Sequence, residues 1–150
     1  MILLDTNVIS EFMREAPDSA VVHWLDRQPA TSIWTTSINV YEIRTGLLSM
    51  PAGKRRTLRA LAFEHMLNQT IQGRIAAFDV ASAQQAAELE AGGQKIGRPR
   101  EARDTMIAGI VLASHARLAT RNVKHFEDIA GSVVNPWVEA GTKGTRKLVG

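Results

Sequence analysis

The 150-residue sequence predicts an α/β fold, a three-layer α/β/α sandwich built on a central, mostly parallel sheet of five strands. Short runs of apolar and β-branched residues alternate with longer stretches whose apolar residues recur every three or four positions, as in strands separated by helices. Strands joined through helices pair in parallel, and the helices cover both faces of the sheet. The hydrophobic share of 45% supplies the core of one domain over residues 1–138, followed by a flexible Gly/Thr/Lys-rich tail over 139–150.

The predicted strands are short, and polar residues end them. Ile2–Leu4 is the first strand, and Asp5 ends it in front of a helix. The apolar positions at helical spacing, Leu58 and Leu61 among them, are expected in the core, and a dimer or partner-binding surface is the alternative for some of them. Gly92 and Gly93 are expected to stop a helix. The other strands are predicted over 31–35, 75–78, 117–120 and 133–134, and the later helices over 19–27, 38–48, 54–67, 81–91 and 104–115.

The composition excludes several kinds of site. The chain has no cysteine, which removes disulfides, thiolate nucleophiles and cysteine-bound zinc, so a metal would be held by oxygen or imidazole. The net charge of +3 suits a polyanionic partner, whereas an aromatic share of 5% argues against a stack of aromatic side chains reading unpaired bases. The sequence shows neither a signal peptide nor an apolar stretch of membrane-spanning length, which predicts a cytoplasmic protein without a membrane partner.

Three acidic residues and one amide are predicted at the same edge of the sheet. Asp5 follows the first strand directly, and Glu42 lies in the helix after the second strand. Asp104 begins the helix before the fourth strand, which Asn122 follows. Sites in parallel α/β sheets form at the carboxyl ends of the strands. We therefore expect a catalytic group of these four residues, with the three carboxylates as metal ligands.

A divalent cation would relieve the repulsion among such carboxylates. Oxygen ligands without cysteine or a histidine cluster favour Mg²⁺, for which Mn²⁺ can substitute. A water activated by the ion can attack a phosphodiester, and a site with one ion and a site with two are both open. Each residue alone also has an ordinary interpretation: Asp5 and Asp104 as helix caps, Glu42 as a solvated helix residue, and Asn122 as a turn residue.

Four segments of the sequence, taken in order, resemble a known family. They are residues 1–10 (MILLDTNVIS), 37–46 (SINVYEIRTG), 104–108 (DTMIA), and a C-terminal group of 118–122 (LATRN), Phe126 and 135–137 (NPW). Together they resemble the PIN-domain ribonuclease toxins of the VapC/FitB type, from type II toxin–antitoxin systems. Each segment alone is weak evidence, whereas the ordered set is specific.

The resemblance implies a PIN fold and a toxin that cleaves RNA with Mg²⁺ or Mn²⁺, leaving 5′-phosphate and 3′-hydroxyl ends. It also implies inhibition by a cognate antitoxin encoded upstream, homodimerisation, and a larger assembly with the antitoxin on promoter DNA. Asp5, Glu42 and Asp104 match the acidic ligands of the family. Asn122 matches a position that is aspartate in some members and asparagine in others.

Basic residues near the acidic edge are candidates for holding RNA phosphates on either side of the scissile bond. The alternative is a solvated basic loop. The histidines show no metal-binding spacing. A surface role is expected for His125, with a position near the site as the alternative. The RNA-contacting candidates are Arg98, Arg100, Arg103, Arg121 and Lys124, together with Thr6 and Thr120, which the resemblance gives an orienting or water-binding role.

The sequence therefore predicts a metal-dependent endoribonuclease that is the toxin of a type II toxin–antitoxin module. Two alternatives stay open. One is a PIN-like partner with weak catalysis that acts in a DNA-binding complex, which only the amide of Asn122 favours. The other is a non-toxic PIN nuclease of RNA processing.

Overall fold

The computed structural model describes residues 1–138, and the tail predicted over 139–150 lies outside the described residues. Its strands are β1 (Ile2–Leu4), β2 (Ile33–Thr36), β3 (Ile75–Ala76), β4 (Arg117–Ala119) and β5 (Val133–Val134). They form one sheet in the order β3-β2-β1-β4-β5, and every neighbouring pair is parallel. The predicted fold class is confirmed.

Helices fill the connections between the strands. They are α1 (Thr6–Phe12), α2 (Ser19–Asp26), α3 (Ser37–Ser49), α4 (Lys54–His65), α5 (Val80–Lys95) and α6 (Ala102–Ala113). A 3₁₀ turn over Ala30–Ser32 precedes β2, a π-helical turn over Met66–Ile71 extends α4, and a 3₁₀ segment over Val123–Ser132 leads into β5. Within residues 1–138, none of the helices has the length and apolarity needed to cross a lipid bilayer.

Two apolar cores, one on each face of the sheet, hold the three layers together. Ile2 and Leu4 belong to the core on one face, which includes Phe63 of α4. Leu3 belongs to the core on the other face, where it packs with Ile107 of α6. Successive side chains of a strand alternate between the two faces, so a central strand covered on both sides buries all of them.

The helix predicted to stop at Gly92 and Gly93 continues through both residues to Lys95. Gly93 allows a close approach: a Cβ there would lie 2.6 Å from the carbonyl oxygen of Arg98. The following loop folds back onto α5 at this point, and the Arg98 N–H donates to the Gly93 carbonyl over 2.8 Å. Gly93 therefore serves helix–loop packing instead of ending the helix, whereas a Cβ at Gly92 would meet nothing within 4 Å.

The sequence predicted that Asp104 begins its helix, and the structure differs. α6 begins at Ala102, and Glu101 caps it by accepting a hydrogen bond from the Asp104 N–H over 3.0 Å. The capping interpretation of Asp104 is therefore wrong. Because the Glu101 side chain caps the helix, the Asp104 carboxylate is not used as a cap and is available for other contacts at the same edge.

Candidate active site

The candidate site lies where the carboxyl ends of β1 and β4 meet. β1 is the central strand, with β2 and β3 on one side and β4 and β5 on the other. Such a reversal of strand order leaves a crevice beyond the carboxyl ends of the strands. Asp5 follows β1, and its N–H donates to the Ala119 carbonyl at the end of β4 over 3.0 Å. Glu42 reaches this edge from α3, and Asp104 from the first turn of α6.

Asp5 is held by four hydrogen-bond donors and is only 6% exposed. Its Oδ1 accepts from the Thr6 N–H over 2.9 Å and from Asn39 Nδ2 over 2.8 Å. Its Oδ2 accepts from the Thr120 hydroxyl over 2.7 Å and from Asn7 Nδ2 over 3.3 Å. Asp5 caps α1 and also belongs to the acidic site, so its two interpretations from sequence are compatible. The bonds fix the orientation of the carboxylate before any ligand arrives.

Asn39 is a buried positioning residue that sequence reasoning missed. The Thr36 hydroxyl donates to Asn39 Oδ1 over 2.6 Å, which turns the amide nitrogen toward Asp5 and the Thr6 hydroxyl. Thr36 also caps α3 by accepting from the Asn39 N–H over 3.1 Å. A polar residue one helical turn before Glu42 was the available signal, since i and i+3 share a helix face.

Thr120 is fully buried and orients Asp5. Its hydroxyl oxygen also accepts from Asn7 Nδ2 over 3.1 Å and from the Asn122 N–H over 3.0 Å. Asn7 Oδ1 in turn accepts from the Arg121 N–H over 3.0 Å. Burial keeps the Thr120 side chain from contacting RNA in this arrangement, which corrects its place among the RNA-contacting candidates and agrees with the orienting role that the resemblance implies. Thr6 is half-buried and donates its backbone N–H to Asp5.

Glu42 and Asp104 lie in the electrostatic field of Asp5. Burial, followed by the charge of Asp5, raises the pKa of Glu42 to about 6, with a further rise from Asp104 and an opposing effect of Arg103. Burial also raises the pKa of Asp104, which the charges of Glu101 and Asp5 raise and that of His125 lowers. The three predicted carboxylates are therefore close enough for their charges to interact strongly.

His125 contacts this site, although a surface role was expected for it. Its Nδ1 lies 3.1 Å from Asp104 Oδ2, while the side chain is 57% exposed. The contact follows from the 3₁₀ segment after β4, in which the His125 N–H donates to the Asn122 carbonyl over 3.0 Å. His125 thus stands at the solvent-facing rim of the acidic group.

Arg100 is committed to structural contacts, which corrects its prediction as an RNA contact. Its Nε donates to the Thr105 hydroxyl over 3.1 Å, and its Nη1 forms an ion pair with Asp128. Only 10% of the side chain is exposed. The guanidinium joins the start of α6 to the 3₁₀ segment and is not presented to a polyanion.

The other predicted cations stand at the surface around the site. Arg103 lies over the Tyr41 ring at 5.4 Å from its centroid, and Arg121 over the Trp137 ring at 4.9 Å. Arg98, Lys124 and the amide residue Asn122 are exposed. Within the described residues the Asn122 side chain forms no hydrogen bond to the acids, so its catalytic role stays a prediction.

Comparison with known proteins identifies the fold family. The sequence model of the family described as PIN domain matches residues 2–132 of this chain. The chain belongs to the PIN-domain family. A similar protein, VapC ribonuclease Y4jK of Sinorhizobium fredii, is 38% identical over 93% of this chain and 100% of its own length. Toxin FitB of Neisseria gonorrhoeae is 34% identical over 91% of this chain and 99% of its own. The family resemblance seen in the sequence is confirmed.

The backbone of this chain is also similar to that of a solved structure. The structure of FitAB bound to an IR36 DNA fragment contains a chain that matches this PIN domain with a TM-score of 0.81 at 34% identity. The match covers 91% of this chain and 96% of that chain. The arrangement of strands and helices described above is therefore that of PIN-domain proteins.

The donor set of this PIN domain fits a hard divalent cation. Burial, followed by the charges of neighbouring groups that include Asp5, raises the pKa values of Glu42 and Asp104, and a cation would offset both costs. Over residues 1–138, no three acidic or histidine side chains already stand as a ready group of ligands. The fit therefore rests on oxygen-donor chemistry and on electrostatic proximity.

Replacing Glu42 by glutamine is expected to raise the melting temperature of the metal-free PIN domain by about 2–4 °C near pH 7.5 and to leave it unchanged near pH 4. The pKa in the folded state is about 6, above the ordinary value of 4.5. The stability that protonated Glu42 contributes is fully present below pH 4.5 and is lost as the pH rises through about 6. Glutamine is uncharged at both pH values, so it relieves a cost that glutamate has only at the higher one. Thermal unfolding in EDTA measures the shift, with the exposed Glu90→Gln as control. Equal gains at both pH values would contradict the assignment.

Proposed function

We propose that this PIN domain is a metal-dependent endoribonuclease and the toxin of a type II toxin–antitoxin module. The observation that supports the nuclease proposal is electrostatic: at the carboxyl edge of the sheet, the charge of Asp5 adds to burial in raising the pKa values of both Glu42 and Asp104. One relative is named a ribonuclease and another a toxin, which supports both halves of the proposal.

The metal would be held by Asp5, Glu42 and Asp104. An oxygen-only donor set favours Mg²⁺, with Mn²⁺ as a substitute. When bound, a divalent cation neutralises charge on the phosphodiester and lowers the pKa of a water at the site. Asn122 belongs to the proposal as a neutral oxygen donor beyond the end of β4.

The chain's own residues prepare the site for this chemistry. Asn39 and Thr120 each hold one carboxylate oxygen of Asp5, so this residue needs no reorientation when RNA arrives. Glu42 has a pKa of about 6 and releases its proton near neutral pH, which makes its carboxylate available as a ligand. Arg98 and Lys124 are exposed at the same edge and would attract the RNA backbone.

A partner protein completes the proposal. The relative FitB occurs in a solved FitAB assembly on DNA, and its similarity extends over most of this chain. By analogy, we expect an antitoxin encoded upstream, a homodimer of this chain, and a larger assembly with the antitoxin on promoter DNA. RNA cleavage would then take place in the cytoplasm.

The test uses the full chain freed of its antitoxin and incubated with total RNA. Cleavage is expected with Mg²⁺ or Mn²⁺, is expected to stop in EDTA and to return when metal is added, and should leave 5′-phosphate ends. No cleavage by folded, antitoxin-free protein in the presence of Mn²⁺ would contradict the nuclease proposal. Induction in cells is expected to arrest growth unless the upstream neighbour is co-expressed. Cleavage without growth arrest would refute the toxin assignment alone.

A further inference from the structure

We propose that the cavity beside Asp104 binds one unpaired nucleotide of the RNA, adjacent to the phosphate that is cleaved. This inference rests on the proposed nuclease function. The cavity has a volume of about 650 Å³, within the roughly 300–1,000 Å³ of ordinary ligand pockets. It lies between the end of α5, the 96–101 loop and the 3₁₀ segment after β4. Asp104 and His125 line it, so its occupant lies beside the acids of the active site.

Two contacts already described keep the cavity open. The loop is tied to α5 where Arg98 bonds to Gly93, and it is tied to α6 and the 3₁₀ segment through Arg100. Arg100 also has one buried nitrogen, Nη2, with no hydrogen-bond partner in the described residues. A buried donor without an acceptor is costly and rare in folded proteins. The wall of the cavity is therefore fixed before a ligand binds, and the buried Nη2 lies beneath the surface that a ligand would contact.

The lining combines an apolar surface for a base with cations for phosphates. Leu89, Ile96 and Pro99 supply an apolar surface, and Ile96 is 70% exposed there without an evident role in the core. Such a surface suits the face of a nucleobase, which stacks on apolar or aromatic groups. Arg98 and Lys124 also line the cavity and suit the phosphates on either side.

The carboxylates of the lining favour a base whose edge donates hydrogen bonds. Glu101 and Asp128 are engaged with the Asp104 N–H and with Arg100. Glu127 lines the same cavity, is exposed, and forms no side-chain hydrogen bond within residues 1–138. Guanine presents two adjacent N–H donors on one edge, which match the two oxygens of a carboxylate, whereas uracil presents one. The cavity is therefore assigned to guanine in preference to uracil.

The test is an NMR titration of the full chain with 5′-GMP and with 5′-UMP, which contain no phosphodiester linkage to cleave. GMP is expected to shift the amide signals of residues 96–98, 100–101 and 123–127 and to bind at least about fivefold more tightly than UMP. Ile96→Ser is expected to weaken GMP binding about tenfold, because one base–side chain stack is lost. The matched control is Val80→Ser, since Val80 is 87% exposed at the other end of α5. Glu127→Gln is expected to reduce the preference for GMP over UMP.

The outcomes separate this inference from the nuclease proposal. Equal effects of Ile96→Ser and Val80→Ser, or shifts confined to residues outside the cavity, would overturn the nucleotide site even if RNA is cleaved normally. UMP binding as tight as GMP binding would overturn the base assignment. GMP bound in the cavity by a protein that cleaves no RNA would refute the nuclease proposal and leave the site standing. In RNA cleavage, Ile96→Ser should raise KM more than it lowers kcat.

Discussion

The Asp104→Asn variant is expected to fold normally and to cleave RNA roughly a thousandfold more slowly. Asparagine has the size of aspartate but lacks the negative charge with which Asp104 would bind a cation. The side chain is 24% exposed, and within residues 1–138 its hydrogen-bonding partner is His125. Few structural contacts therefore depend on the charge. Burial and the nearby acids already raise the pKa of Asp104, so loss of the charge also relieves repulsion.

Single-turnover cleavage and thermal unfolding measured on the same preparation check this prediction. Asp26→Asn is the matched control, since Asp26 is an exposed aspartate at the end of α2, away from the acidic edge. Its cleavage rate and melting temperature should equal those of the unchanged protein. An Asp104→Asn protein that cleaves RNA at the original rate would remove Asp104 from the active site.

The Asp5→Asn variant is expected to lose cleavage to a similar extent and also to lower the free energy of unfolding by about 1–3 kcal/mol. Both oxygens of Asp5 accept hydrogen bonds from two donors each, in a site that is 6% exposed. An amide group replaces one of these oxygens with a donor. The Thr120 hydroxyl can rotate to accept from it, but the Asn7 amide then faces another donor.

Urea unfolding with EDTA present measures this loss apart from any effect of a cation. The comparison with Asp104→Asn is informative because both variants remove one proposed ligand, whereas only Asp5 is enclosed by four donors. Equal stability of the Asp5 variant and the unchanged protein would show that these hydrogen bonds do not form as described. In that case the positioning roles of Asn39 and Thr120 would fail as well.

The sheet and its acidic edge are predictable from the sequence because their signals are local. A buried strand such as β1 is a short apolar run, and the polar residue that ends it, Asp5, is adjacent in the chain. Helical spacing indicates that a helix has an apolar face but does not reveal what covers that face. Leu58 and Leu61, expected in the core, are 55% and 61% exposed in the structure. That prediction is wrong for this reason.

The features that sequence reasoning missed depend on contacts between distant segments. Asn39 meets Asp5 across 34 positions of sequence, and His125 meets Asp104 across 21. The only local signal for Asn39 is its position one helical turn before Glu42, and nothing local distinguishes His125 from an ordinary surface histidine. Gly93 is similar, because its close approach to Arg98 depends on the path of the loop. When the path of the loop is unknown, two consecutive glycines in a helical segment indicate the end of the helix.

The position of β1 in the middle of the sheet also affects when activity can arise during synthesis. Asp5 is synthesised 115 positions before Thr120, whose hydroxyl donates to it. β1 likewise has to wait for β4 before both of its edges are paired. Asp5 is therefore not held by all of its donors, and β1 is not paired on both edges, until the segment containing β4 and Thr120 has been synthesised.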